Sequence, residues 1–382
     1  MVFASPRLWF WVKCCSGSMS LDPAHFYSRT RGARKIIVVD LGYLGDTIHL
    51  VPALWEIKRG YSQAALHVLT TSVGAEVLRL VPCIDRAWAV ELYREKRTLR
   101  QQWEIVRSVR RERFDLAFNF NGADRTVIMT ALTGARWRVA HPGGRWHFWN
   151  RWLIPFWTPR QEANRKVFEQ RRQVLAACGL ELSPPRFDLK VDEASVHWAR
   201  SVAPLGSVHV SVNSAKPTRE WPLEHHVEML RSLWKKHPNL TVLASSGSRE
   251  RELLRIRELV RRVADSRLQL LPEGMTIPQL AAALLRCRVH LGPDSGVLHL
   301  AVALGVPTVS FFREQGAYPS FMPTGPQHQV ISMPCTCIDG YNAPCESLGR
   351  SECFARIEPE RVAALIHEQL VERAKPAGNI GA

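Results

Sequence analysis

The stretch Leu291-Gly292-Pro293-Asp294-Ser295-Gly296-Val297-Leu298-His299-Leu300-Ala301-Val302-Ala303-Leu304-Gly305 decides how this chain folds. Val289 and Leu291 read as the end of a buried strand, Ser295 as the N-cap of a helix, and Gly305 as the close of that helix. Gly296 lets a ligand come close to the backbone. Such a turn points unpaired backbone N–H groups at whatever sits above the sheet. It is an anion site, most often for phosphate. The apolar run from Val306 to Phe312 then returns as another strand and completes a βαβ unit.

Outward from that unit, the same alternation recurs. Val208 to Val212 and Leu240 to Ala244 read as strands, and 225–236, 249–263 and 277–286 as helices. A final helix is expected over 359–374. The amino-terminal half repeats the pattern. Lys35-Ile36-Ile37-Val38-Val39-Asp40 is a β-branched run of the kind that fills a parallel sheet, and a helical pattern opens at Asp46. Strands follow at Leu66 to Leu69, Ala87 to Val90, Leu116 to Phe120 and Trp137 to Ala140, with helices at 74–80, 98–113 and 124–133 between them. The expected fold is α/β: two Rossmann-like, doubly wound parallel-sheet domains facing a cleft, with ligands at the carboxyl ends of the strands. The expected divisions are an extension over 1–33, a first domain over 34–190, a linker over 191–204, a second domain over 205–358, and a terminal helix and tail over 359–382. Residues 1–33 read as a disordered extension or as a stretch upstream of a start at Met19.

The 382 residues suffice for two domains, and 46% of them are hydrophobic. No apolar run approaches the roughly 18 to 20 residues of a membrane span, so a soluble protein is expected. Residues 1–190 hold 30 Lys and Arg against 16 Asp and Glu, a formal +14, whereas 191–382 hold 21 against 19, a formal +2. A basic first half suits a polyanionic partner, or merely a solvated surface. An odd count of nine cysteines without a secretory signal favours a reducing cytosol. Cys335, Cys337, Cys345 and Cys353 cluster, open to a packing role, a zinc site or a disulfide; the spacing is not that of a usual zinc finger.

Several loops carry candidate chemistry. Asp40-Leu41-Gly42-Tyr43-Leu44-Gly45-Asp46 is neither the dinucleotide G-x-G-x-x-G nor a Walker loop. Asp46 there is either a general base or a helix cap. Asn213 to Pro222 places Ser214, Thr218, Lys216 and Arg219 at a strand's carboxyl end, as a diphosphate site or as a plain polar loop. Ser245 to Glu252 offers a Gly turn with Glu250 and Glu252 behind it, for a ribose diol or for helix capping. His299 is a ligand contact or a structural histidine. Over 141–163, Trp146, Phe148, Trp149, Trp152, Phe156 and Trp157 interleave with Arg145, His147, Arg151 and Arg160. That insert suits a membrane interface or a packed aromatic lid.

Taken together and in this order, three motifs resemble the family 9 glycosyltransferases, the heptosyltransferases of the lipopolysaccharide inner core. They are Leu41-Gly42-Tyr43-Leu44-Gly45-Asp46 with Pro52-Ala53-Leu54, Arg219-x-Trp221-Pro222, and Asp294-Ser295-Gly296-x-x-His299 with Ala303-Leu304-Gly305-x-Pro307-Thr308. The resemblance runs from about residue 35 to 370. It implies the GT-B fold and an ADP-activated sugar bound by the second domain. It further implies an anionic lipid-linked acceptor at the first, inversion at the anomeric carbon, and no cofactor or metal. Asp46 matches the family's base. Asp294 matches the aspartate near the donor sugar, and Ser295, Gly296 and His299 the phosphate-side turn. Ser214, Thr218 and Arg219 fall on the diphosphate loop, where Arg219 stands in place of the family's usual Lys. Glu250 is the nearest match to the ribose-binding acid, with Glu252 a rival. Gly45, Arg125 and Arg145 are expected on the acceptor side. The expected place is the cytoplasm, peripheral to the inner face of the plasma membrane. A nucleotide-sugar epimerase on the same architecture and a nucleic-acid binder are the alternatives; the second lacks a recognised binding motif, so no nucleic-acid partner is expected.

Overall fold

The computed structural model describes residues 23–91, 99–143, 147, 149–160, 162, 164–314, 318–335, 345 and 351–372. Arg145 and Cys337 lie outside them.

The first half runs α1 (Pro23–Thr30), β1 (Lys35–Val39), α2 (Leu44–Gly60), β2 (Ala65–Thr71), α3 (Ser72–Leu78), β3 (Arg86–Val90), α4 (Leu99–Arg111), β4 (Leu116–Asn119), α5 (Asp124–Leu132), β5 (Trp137–Ala140), α6 (Asn150–Leu153), β6 (Phe156–Trp157) and α7 (Val167–Ala176). The second runs α8 (Glu193–Val202), β7 (Ser207–Ser211), α9 (Leu223–Lys236), β8 (Val242–Ser245), α10 (Glu250–Val263), β9 (Leu268–Leu270), α11 (Ile277–Leu284), β10 (Cys287–Pro293), α12 (Gly296–Ala303), β11 (Thr308–Arg313), β12 (His328–Met333) and α13 (Pro359–Glu372).

Each half holds a six-stranded parallel sheet, ordered β3-β2-β1-β4-β5-β6 and β12-β11-β10-β7-β8-β9. The two orders are the same when each is counted from its own first strand. In such sheets the chain reverses its winding beside the first strand, and a crevice opens there at the carboxyl ends. One crevice lies between β1 and β4, the other between β7 and β10. The central strands are buried on both faces, as Ile36, Ile37, Val38 and Val39 of β1 show, which explains the continuous apolar runs.

Part of the expected extension is ordered, and residues 1–22 of it lie outside the described residues. Pro23–Thr30 is helical, and Phe26 lies buried, edge-on to Phe156 with ring centroids 5.2 Å apart. The apolar contact of that ring offsets the cost of ordering the segment. The expected linker likewise carries α8. Asp192 caps it by accepting from the Ser195 amide at 2.8 Å, and the helix packs on α11.

The halves are joined by an apolar cluster. Ile48, Val77 and Leu80 of the first half pack with Leu243, Leu280 and Leu300 of the second. Lys166 adds a polar tether, donating to the Pro319 and Met322 carbonyls at 2.8 and 2.9 Å. Cys335, Cys345 and Cys353 are buried, and among the described residues no three metal-ligating side chains converge.

Candidate active site

The first turns of α2 and α12 meet at the cleft, and two glycines make that approach possible. A Cβ on Gly45 would come within 2.7 Å of His299 Cδ2, and one on Gly296 within 2.7 Å of the Leu44 side chain. Each helix therefore presents its amino-terminal, partially positive end at the junction of the two halves.

Asp46 sits in the first turn of α2, half-buried. Its Oδ2 accepts the Tyr43 amide at 3.0 Å, and Oδ1 stands 4.0 Å from Arg171 Nη2. The cap role and an open face toward the cleft thus coexist in one carboxylate. Arg171 is buried on α7; its Nη1 donates to the Asp46 carbonyl and lies 3.7 Å from Asp40 Oδ2. Burial pushes the Asp40 carboxyl above the usual carboxylate range, Arg171 opposes that, and the Asp46 charge adds to it. The neighbouring Arg172 fixes α7 by pairing with Glu56 at 3.1 Å. Burial works against the Glu56 charge, but hydrogen bonds from Ser183, Arg59 and Arg172 prevail and hold its carboxyl below the usual range.

Across the junction, Asp294 directly follows β10. Its Oδ2 takes Arg219 Nη1 at 3.1 Å, and its Oδ1 faces His299 Nε2 at 3.3 Å. Ser214 Oγ donates to the Asp294 carbonyl at 2.9 Å, which ties the loop after β7 to the turn after β10. Ser295 caps α12, its Oγ accepting from the Leu298 amide. The loop carrying Ser214 to Arg219 is clamped from α10. Arg251 bridges Glu220, at 2.8 and 3.0 Å, and the Ser214 carbonyl, at 2.7 Å, while Glu220 also accepts the Ser214 amide. Thr218 is buried beside Arg219, its carbonyl accepting from Arg313.

His49, three residues beyond Asp46, is also buried at the junction. Its Nε2 lies 3.2 Å from His299 Nδ1, and Phe168 and Phe321 pack on its ring. Burial, reinforced by His299, Arg171 and Lys166, holds it well below the usual histidine range.

The structure therefore gathers Gly45, Asp46, Ser214, Arg219, Asp294, Ser295, Gly296 and His299 around one cleft. Glu250 stands apart, exposed at the start of α10. Glu252 turns inward instead, against Gly247, with its carbonyl accepting Asn213 Nδ2 at 3.1 Å. Burial pushes the Glu252 carboxyl up from its usual value. Arg125 is exposed at the start of α5, beyond the loop that follows β4. In the described part of the aromatic insert, Phe156 packs against the core while Trp152 is 70% exposed; Trp146 and Phe148 lie outside the described residues. His49, Arg171, Glu220 and Arg251 belong to the site and carry no motif of their own. The signals in the sequence were Asp46-to-His49 spacing on one helix face and adjacency of Glu220 to Arg219.

Two sheets of one strand order, with their crevices on a shared cleft, define a two-domain α/β protein of the GT-B class. Solved structures agree. E. coli ADP-heptose lps heptosyltransferase II superposes with a TM-score of 0.70 at 18% identity, covering 89% of this chain and 100% of that one. E. coli heptosyltransferase WaaC with ADP gives 0.67 at 15% identity, covering 88% and 99%. The family model described as glycosyltransferase family 9 (heptosyltransferase) matches residues 102–346, so the chain belongs to that family and is a glycosyltransferase. Among curated relatives, the lipopolysaccharide core heptosyltransferase OpsX of Haemophilus influenzae is 20% identical over 79% of this chain and 84% of its own. Lipopolysaccharide heptosyltransferase 1 of Pseudomonas aeruginosa is 23% identical over 88% and 98%. Membership of this family decides against the epimerase and nucleic-acid readings.

Proposed function

We propose that the protein transfers a sugar, heptose, from an ADP-sugar to a hydroxyl of an anionic lipid-linked glycan such as the lipopolysaccharide inner core, with inversion. The observation that carries this reading is the approach of the Gly45–Asp46 turn of one half to His299 of the other, which in turn meets Asp294 and, through it, Arg219. In this reading residues 34–190 bind the acceptor and 205–358 the donor. The acceptor oxygen attacks the anomeric carbon from the side of the first half, and Asp46 takes its proton. The bond from that carbon to the diphosphate oxygen breaks, and the leaving diphosphate keeps the electron pair. Arg219 and the amino-terminal end of α12 meet the charge it gains. Asp294 faces the sugar, and Glu252, better enclosed than Glu250, takes the ribose diol. The relatives' names support heptose and lipopolysaccharide. The basic amino-terminal half suits an acceptor bearing phosphate or carboxylate at the cytoplasmic membrane surface.

Two measurements test it. Asp46→Asn should lower kcat by roughly 10²- to 10⁴-fold while leaving donor affinity intact; near-normal turnover would remove Asp46 from the role of base. A thermal-shift screen should show stabilisation by ADP-heptose above that by ADP-, UDP- or GDP-hexoses, and preference for another nucleotide would overturn the donor assignment.

A further inference from the structure

A chain of contacts crosses the cleft from His49 through His299 and Asp294 to Arg219, at 3.2, 3.3 and 3.1 Å. We infer that His49 is a positioning residue for the transfer reaction: its Nε2–H fixes the tautomer of His299, whose Nε2–H in turn holds Asp294 and, through it, Arg219. The inference rests on the reading of Asp294 and Arg219 as donor-side groups.

The assignment follows from donors and acceptors. Asp294 is paired with a guanidinium, and an ionised carboxylate only accepts. His299 Nε2 must then carry the hydrogen. In a neutral imidazole that leaves His299 Nδ1 as a lone pair, which needs a donor, and the atom facing it is His49 Nε2. With Nε2 protonated, His49 Nδ1 is a lone pair too. That Nδ1 is a buried atom with no hydrogen-bond partner. A hydrogen on both His299 nitrogens would reverse the first contact and turn His49 Nδ1 into a buried N–H with no acceptor, the rarer kind of defect. The arrangement also has a direction in space. His49 follows Asp46 by three residues on α2, so the helix carrying the acceptor-side carboxylate sets the orientation of the donor-side one. The rings of Phe168 and Phe321 pack on His49 and restrict its swing.

The test uses the whole protein with ¹⁵N-labelled histidine. Long-range ring ¹H–¹⁵N spectra, assigned by loss of the signal in His299→Gln, should show His299 as the Nε2–H tautomer. His49→Gln returns an N–H near the place of the lost Nε2 and should keep both that tautomer and a kcat close to wild type. His49→Phe keeps an aromatic ring but offers no N–H. It should shift the tautomer balance and lower kcat by up to roughly 10²-fold, with KM for the donor little changed, as expected of a misplaced rather than a missing binding group. An Nδ1–H tautomer in the wild type, or His49→Phe matching His49→Gln in both readouts, overturns the inference. The ring spectra need no substrate and stand whether or not the donor reading holds. Unchanged donor affinity in Asp294→Ala would overturn that reading alone.

Discussion

Arg219 reaches Asp294 through a single nitrogen, Nη1, and stands about a quarter exposed. The planar fork of a guanidinium suits paired phosphate oxygens, and its geometry cannot be copied by an ammonium. Arg219→Ala should therefore weaken donor affinity by roughly 10- to 100-fold, the value of a charge-assisted hydrogen bond, with Arg219→Lys between that and wild type. Titration calorimetry with the nucleotide sugar measures it, and equal loss in the two variants would mean that charge carries nothing. The places of Asp46 and Asp294 were legible in the sequence because each lies near the start of a helix that follows a buried strand. Arg171 was not. It reaches Asp40 and Asp46 from α7, a helix left unassigned behind the aromatic insert. The choice between Glu250 and Glu252 was also out of reach, since capping spacing admits either and only the turn at Gly247 draws one of them inward.

Helices α2 and α12 touch where a glycine of one faces a side chain of the other, Gly45 against His299 and Gly296 against Leu44, so their contact has no room for a larger residue. Gly45→Ala should push the His299 ring aside, because the new methyl group would need the space of Cδ2. Overpacking of this kind costs about 1 to 3 kcal/mol. The expected result is a lower melting temperature together with a kcat loss exceeding that of an exposed control such as Val73→Ala; an effect no larger than the control would mean the helices can part freely. The central strands, the helix after each, and the paired Gly-Asp and Asp-Ser-Gly turns were readable from β-branched runs and caps. The missed strands are peripheral. β6 has two residues, β9 is exposed at Gln269 and Leu270, and β12 is buried only at His328 and Ile331, so none carries a continuous apolar run. α8 was hidden by the prolines that bracket it, Pro184, Pro185 and Pro204, although Asp192 three residues before Ser195 is an ordinary cap signature.

At the scale of the whole molecule, several histidines are buried as neutral rings. Burial depresses His209 and His226 to about 3, below an unfolded histidine near 6.5. Between those values the unfolded chain binds protons that the fold refuses. Stability is full above about pH 6.5 and falls as the pH drops toward 3, by up to about 1.4 kcal/mol per pH unit for each such ring. A series of thermal melts from pH 8 to 5 should show that decline, and His226→Gln should flatten its slope; an unchanged slope would place the ring's proton uptake elsewhere. No helix among the described residues is long and apolar enough to cross a membrane.

The apolar cluster of Ile48, Val77 and Leu80 with Leu243, Leu280 and Leu300 has a mechanical consequence. Prising it apart would wet six large side chains at roughly 25 cal/mol per Å². The two halves are therefore better able to rock than to separate. The cluster serves as a fulcrum, and because Leu44 and Val297 pack against it, a tilt about it would leave the Gly45–His299 contact nearly still.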